Sequence, residues 1–143
     1  MFIKQVSIFV ENKSGKLYDV IRLLGENNID ISALSIADTS DYGILRLIVD
    51  KPKKAVDILR DNDIVVRIDD VIALSVANTP GGLIKALGLL EKEDVDVNYL
   101  YAFVGKSGND ASVMLKVSDL NKAEEIFKKN NVALIDANEV QSY

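Results

Sequence analysis

Apolar residues recur along this chain with two different periods, and the periods take turns. Val6, Ile8 and Val10 are interleaved with Gln5, Ser7 and Phe9, and Ile72, Leu74 and Val76 with Ala73, Ser75 and Ala77. A period of two is what a strand with one buried face requires. Leu17, Val20, Ile21 and Leu24 then take the i, i+3, i+4, i+7 spacing of an amphipathic helix, as do Leu83, Ala86, Leu87 and Leu90. These helices are predicted to end at Asn27-Asn28 and near Glu93-Asp94. Two β-rich segments follow each of them, at 29–37 and 44–49 and again at 95–104 and 112–117. The loops between them, 38–43 and 105–110, have hairpin-turn composition. A second helix, marked by Ala55, Ile58 and Leu59 or by Ala123, Ile126 and Phe127, leads to a short last strand at 64–68 or 132–135.

The second half repeats the first. A shift of 66 residues aligns Val6, Ile8, Val10, Asn12, Gly15 and Leu17 with Ile72, Leu74, Val76, Asn78, Gly81 and Leu83, and it carries on to Leu34 and Leu100. After a two-residue insertion the shift is 68, pairing Leu45, Leu47, Val49, Ala55, Ile58 and Ile64 with Val113, Leu115, Val117, Ala123, Ile126 and Val132. The element order is βαββαβ twice, which predicts an α+β protein of two ferredoxin-like units. Each would have an antiparallel four-stranded sheet with both helices on one face, the simplest right-handed solution for that order. The expected domains are 1–69 and 70–143, with Asp69-Asp70 as the polar break between the last strand of one and the first strand of the other. Each unit is small enough to be marginal alone, so pairing them would enlarge the buried surface.

Composition narrows the chemistry. With no His, Cys or Trp among 143 residues, Cys- or His-based metal sites, imidazole-dependent hydrolysis and thiol redox chemistry are excluded. A net charge of −5 gives no broad positive field for nucleic acid or anionic lipid. The one dense basic run, Lys51-Pro52-Lys53-Lys54, reads as a solvated turn leading into a helix. No apolar stretch is long enough to span a bilayer and the N-terminus has no signal-peptide pattern, so a cytoplasmic location is expected.

The connection from first strand to first helix holds the most information. It reads Val10-Glu11-Asn12-Lys13-Ser14-Gly15-Lys16-Leu17 and Val76-Ala77-Asn78-Thr79-Pro80-Gly81-Gly82-Leu83. Glycine here lets backbone N–H groups approach a ligand, and a helix N-terminus favours an anion such as a carboxylate. Asn12 and Asn78 add an amide that can accept from an ammonium group or donate to a carboxylate. The competing reading is a plain helix start, with Thr79 and Ser14 as caps and Pro80 at the first helical position.

Asn-x-x-Gly-x-Leu after an alternating strand, followed by Leu and Ile at helical spacing and then Asn-x-Ile-Asp-Ile or Asp-Val-Asp-Val-Asn, resembles the ACT domain, a small regulatory module of amino-acid metabolism. The second copy lies nearer that family's Asn-x-Pro-Gly-x-Leu pattern; in the first, Ser14 replaces Pro80 and Lys16 replaces Gly82. The resemblance covers nearly the whole chain as two copies with no catalytic domain. It implies two units side by side through edge strands, with a small ligand, often an amino acid, at their junction. One implied site combines Asn12, Gly15, Lys16 and Leu17 with Asn98, Tyr99 and Leu100. The other combines Asn78, Gly81, Gly82 and Leu83 with Ser32, Ala33 and Leu34. Tyr99 and Tyr101 would crowd the first, where Ala33 and Ser35 leave the second roomier, unless the tyrosines serve only to pack the strand.

The chain is therefore expected to be a sensor or regulatory protein without catalytic residues, cofactor or metal. The alternative is a freestanding regulatory subunit for an amino-acid biosynthetic enzyme, of the acetolactate synthase type for instance. An enzyme would need a carboxylate pair, and the candidates Asp30 and Asp96 sit at matching strand entrances where a turn role suffices. Phe9, Ile44 and Ile48, with Arg46 and Gln5 among them, fall on the nominally outward face of the first sheet. Their expected cover is another sheet or subunit, and hence a homodimer.

Overall fold

A computed structural model of the chain describes residues 1–38, 41–104 and 108–142. The elements are β1 (Ile3–Glu11), α1 (Lys16–Glu26), β2 (Ile31–Asp38), β3 (Tyr42–Val49), α2 (Pro52–Asp61), β4 (Val66–Ala77), α3 (Ile84–Lys92), β5 (Val97–Val104), β6 (Asp110–Val117), α4 (Leu120–Lys129), β7 (Ala133–Ile135) and α5 (Ala137–Val140). The predicted hairpin loops at 38–43 and 105–110 lie partly outside the described residues. The chain divides into two compact units. One holds Ile3–Asp70 and the segment from Ala137 onward; the other holds Phe2 and Val71–Asp136.

In the first unit the strands run in the order β2-β3-β1-β4. β3 is antiparallel to both β1 and β2, with Val6 opposite Leu47 and Leu34 opposite Leu47 from the other side. The alternation in the sequence decides which face is dry. Val6, Ile8 and Val10 meet Leu45, Leu47 and Val49, and above them lie Val20 and Leu24 of α1 and Ala55, Val56 and Leu59 of α2. The second unit repeats this in the order β7-β4-β6-β5. Its core joins Ile72, Leu74, Val113, Leu115 and Val117 to Ala86 and Leu90 of α3 and Ala123 and Phe127 of α4. Both units are thus ferredoxin-like, with antiparallel pairing, as the periodicity predicts.

All four long helices end alike. Asn27, Asn62, Glu93 and Asn130 are the C-caps, and the next residues, Asn28, Asp63, Asp94 and Asn131, turn left-handed with φ of 56°, 59°, 54° and 56°. Asn and Asp bear this conformation more cheaply than other non-glycine residues. Lysines satisfy carbonyls left over at two of these ends. Lys51 and Lys54 donate to the carbonyls of Asn28 (3.0 Å) and Asn27 (2.9 Å), and Lys122 donates to that of Glu93 (2.6 Å). The basic run 51–54 is therefore a helix start, with Pro52 in the first turn, whose charges serve the neighbouring helix end.

Two features depart from the sequence expectation. The final strand expected at 64–68 and the strand that starts the second half are one continuous twelve-residue strand, β4, and Asp69-Asp70 does not interrupt it. The carboxylates can stay in a strand because they have partners: Ser7 Oγ donates to Asp69 at 2.7 Å, Arg67 Nε donates to Asp69 at 3.0 Å, and Lys4 pairs with Asp70 at 2.6 Å. The second departure is at the C-terminal end. The sequence boundary assigns 70–143 to one domain, whereas α5 and the residues after it pack with the first unit. Gln141 is what ties them there: its amide bonds the Lys4 N–H and carbonyl (2.6 and 3.1 Å) and the Val49 carbonyl (3.3 Å), and the Ser142 N–H reaches the Asp50 carbonyl at 2.7 Å.

The outward face of the first sheet is less open than alternation suggests. Ile48 and Gln5 are fully buried within the single chain, Ile44 and Arg46 are half-buried, and only Phe9 stays exposed, with the Arg67 guanidinium 5.8 Å above its ring. Ile48 and Gln5 therefore leave water without a second subunit. Among the described residues, no helix is long and apolar enough to cross a membrane.

Candidate functional site

The two strand-to-helix loops share an entrance and then diverge. In each, the Asn after the strand donates its backbone N–H to the opposite hairpin: Asn12 to the Asp41 carbonyl (3.0 Å), Asn78 to that of Asn109 (2.8 Å). A left-handed glycine follows three residues later, Gly15 with φ 86° and Gly81 with φ 77°. In the first unit Gly15 is itself the helix N-cap, and its carbonyl takes the Asp19 N–H at 2.9 Å. In the second unit the turn runs on for two residues and α3 begins only at Ile84. The Gly82 N–H is spent on the Thr79 carbonyl (2.9 Å) and the Ile84 N–H on that of Gly81 (3.0 Å).

Gly82 shows why the second loop has its sequence. A Cβ there would drive into the Ala77 carbonyl oxygen and lie 3.2 Å from that of Thr79, so no side chain fits. At the repeat-equivalent position Lys16 is accommodated because it already stands in the first helical turn. The plain-cap reading does not hold in either unit. Ser14, Thr79 and Pro80 all lie in the turn before the helix, and neither α1 nor α3 has a side-chain cap bond. Among the described residues, no carboxyl or hydroxyl side chain therefore caps the N-terminal amides of either helix.

The two asparagines are not equivalent. Asn78 Nδ2 donates to the Gly108 carbonyl at 2.8 Å, which commits one of its protons to holding the hairpin. Asn12 is exposed and its side chain makes no such bond; a shallow concavity of about 460 Å³ lined by Glu11, Asn12, Lys13, Asp41 and Tyr42 lies beside it. Glu11 and Lys13 form an ion pair across this rim at 3.0 Å. The hydrogen bond from Lys13 lowers the Glu11 carboxyl below its ordinary pKa and raises that of Lys13. Leu17 is exposed; Leu83 is half-buried against the second core.

The strand residues singled out from the sequence occupy edge strands. Ser32, Ala33 and Leu34 are on β2 in the first unit, and Asn98, Tyr99 and Leu100 on β5 in the second. Both strands slip register at the same point, between Ile31 and Ala33 and between Val97 and Tyr99. Ser32 and Asn98 are thus the bulged residues, exposed and left out of the ladder. Ala33 is buried, Leu34 is 56% exposed and Leu100 is 38% exposed. Each implied site therefore draws its loop from one unit and its strand from the other. Asp30 and Asp96, the carboxylates an enzyme would have needed, also lie in different units. Each fixes the entry of its strand by backbone bonds, to Asp50 in one unit and to Ser118 in the other.

Sequence reasoning missed a groove within the first unit. About 570 Å³ in volume, it runs between the first two turns of α1, the end of β1 and the residues linking α2 to β4. The signal was present as Lys16, Asp19, Val20 and Leu23 at helical spacing, but the wall supplied by Asn62–Val65 is distant in sequence.

Two βαββαβ units, each with a left-handed glycine between its first strand and first helix, define a duplicated ferredoxin-like α+β protein. The chain belongs to the ACT domain pair family, whose model matches residues 1–143. Protein BT0572 from Bacteroides thetaiotaomicron is similar at 44% identity, covering 98% of this chain and 96% of that one, with a TM-score of 0.93. The fold is shared at 14% identity with the regulatory subunit of aspartate kinase from Thermus thermophilus, covering 88% and 90% of the two chains at a TM-score of 0.64. The corresponding subunit from Thermus flavus is similar at 14% identity, with 90% of both chains covered and a TM-score of 0.62. No curated protein sequence matches the chain.

Proposed function

We propose that this chain is a non-catalytic sensor of amino-acid metabolism that binds a free amino acid or a similar small zwitterion at its glycine loops. The observation that carries the reading is the uncapped helix start behind Gly15 and Gly81, repeated in both units of an ACT domain pair. First-turn N–H groups that no side chain caps, together with the helix field, suit a carboxylate, and the neighbouring Asn carbonyl suits an ammonium group. Ser32, Ala33 and Leu34 and Asn98, Tyr99 and Leu100 are the strand residues this reading assigns to ligand contact. The cytoplasm, where amino acids are made, is the compartment it assigns. A ligand would act by favouring one of two states of the protein or its partner, and only by its difference in affinity for them.

The test is a thermal-shift panel of the common amino acids. At about 100 times Kd, a ligand that binds only the native state adds roughly 2.7 kcal/mol of stability. Asn12→Ala, Asn78→Ala and Asn98→Ala all alter exposed side chains, and a genuine hit should weaken in at least one of them. An equal shift in all three would defeat the assignment of the site.

A second reading, a regulatory subunit of an amino-acid biosynthetic enzyme, draws on the regulatory subunits of aspartate kinase named above, whose extent is comparable to that of this chain. Affinity capture from extract distinguishes the two, since a subunit brings its enzyme down at fixed stoichiometry. For self-association we propose the β2 edge as the contact between two copies. Leu34 and Ile36 stand 56% and 50% exposed there on a strand with one unpaired side, and a second β2 would both pair the edge and cover them.

A further inference from the structure

The groove in the first unit is built for a dipolar ligand. We infer that it is a separate binding site for a small zwitterion with an aliphatic side chain, complete within this unit and sharing only Lys16 with the first of the glycine-loop sites. Val10, Val20, Leu23 and Ile64 line it with aliphatic surface, and its volume of about 570 Å³ falls within the range of small-molecule sites. Phe9, Tyr42 and Val65 add exposed apolar surface, at 39%, 53% and 66%, along the same groove.

The charges that line it are divided in a telling way. Arg22 is held by both oxygens of Glu26 at 3.0 Å, and Glu11 by Lys13. Lys16, Asp19 and Asp63 make no hydrogen bond or ion pair through their side chains among the described residues. Lys16, Asp19, Val20 and Leu23 share one face of α1, so a cation, an anion and two apolar groups are presented together. Asp63 arrives from the opposite wall on a left-handed backbone, φ 59°. One ammonium and two carboxylates that no hydrogen bond or ion pair occupies among the described residues, set around an aliphatic floor, match a carboxylate, an ammonium and an apolar side chain on one ligand.

The other unit does not repeat this chemistry. At the equivalent positions Phe9, Lys16, Asp19, Tyr42, Asp63 and Val65 give way to Ser75, Gly82, Lys85, Asp110, Asn131 and Ala133. Backbone topology is kept in both copies while the lining is kept in one, so the lining is not a requirement of the fold.

The full chain, labelled with ¹⁵N, is titrated with leucine and with its two single-charge analogues, 4-methylpentanoate and 3-methylbutylamine. Leucine should shift the amides of 62–65 together with those of Val20 and Leu23. Each analogue should bind about tenfold more weakly or worse, since each forfeits one charge-assisted contact. Asp63→Asn, which tolerates the same backbone, and Val65→Trp, which fills the groove from an exposed position, should both weaken leucine about tenfold with the melting temperature unchanged. Shifts at 62–65 without any at 12–15 or 78–83 support the groove and leave the glycine loops without a ligand. Shifts at 12–15 or 78–83 with 62–65 silent overturn the groove and support the loops. Analogues that bind as well as leucine overturn the zwitterion assignment, and silence throughout overturns the groove.

Discussion

Gln141 grips Lys4 through both ends of its amide: Oε1 accepts the Lys4 N–H at 2.6 Å and Nε2 donates to the Lys4 carbonyl at 3.1 Å. The same Nε2 reaches the Val49 carbonyl at 3.3 Å, so one nearly buried side chain ties the start of β1 to the end of β3. Gln141→Ala should lower the stability of the chain by about 2 kcal/mol, because it strands polar groups that the fold shields from water. Urea unfolding at neutral pH measures it; an unchanged midpoint would mean that water replaces the amide at no cost.

Two glycines in the second unit should respond in opposite directions to the same substitution. Gly82→Ala meets the Ala77 carbonyl and should destabilise by more than about 2 kcal/mol through forced backbone movement. Gly88 lies inside α3 with open space where a methyl would go, so Gly88→Ala should stabilise by about 0.5–1 kcal/mol. Melting temperatures of the two variants against the parent decide it.

Acid should loosen one unit's strand clasp and spare the other's. Asp50 Oδ1 takes the Asp30 N–H at 2.9 Å and its carboxylate pairs with Lys51 at 3.2 Å; at the repeat-equivalent place Ser118 Oγ takes the Asp96 N–H at 3.0 Å. Burial works against the Asp50 charge, but the Asp30 N–H and the Lys51 ammonium outweigh it and hold the carboxyl below its ordinary value of 3.8. A depressed folded-state pKa gives stability that is present above the unfolded value and lost as pH falls through the folded one. The parent should therefore lose more stability than Asp50→Ser between pH 5 and pH 2.5. Denaturant titrations at the two pH values provide the comparison, and parallel losses would show that the clasp is not acid-sensitive.

Leu34→Lys with Ile36→Lys places two charges on the β2 edge, where pairing with a second copy would have to desolvate them. Light scattering behind size exclusion should show the parent at twice the mass of the double variant. A parent that already elutes as a monomer ends the edge-pairing proposal.

The fold was legible because both of its periodicities are strong and the chain states them twice. Val6, Ile8 and Val10 and their repeat partners face the cores as alternation requires. What stayed hidden depends on pairing between distant residues. Asp69-Asp70 looks like a linker until Ser7, Arg67 and Lys4 are seen beside it. α5 is a single turn with no periodic signal, and only the distant β1 and β3 backbone gives Gln141 its role. Within the glycine loops the residue types were readable, but not the two extra turn residues before α3, since the clash that forbids a side chain at Gly82 comes from a backbone oxygen. The groove escaped notice for a similar reason: its far wall is some forty residues away from α1 in sequence.

The Lys4 N–H and carbonyl meet the Gln141 amide only once a residue 137 positions later has been made. The unit that leaves the ribosome first is for that reason finished after the second, and until then the start of one central strand lacks its Gln141 clasp. A product clipped just before Gln141 would keep β1 to β7 and α1 to α4, yet leave the start of β1 without that clasp.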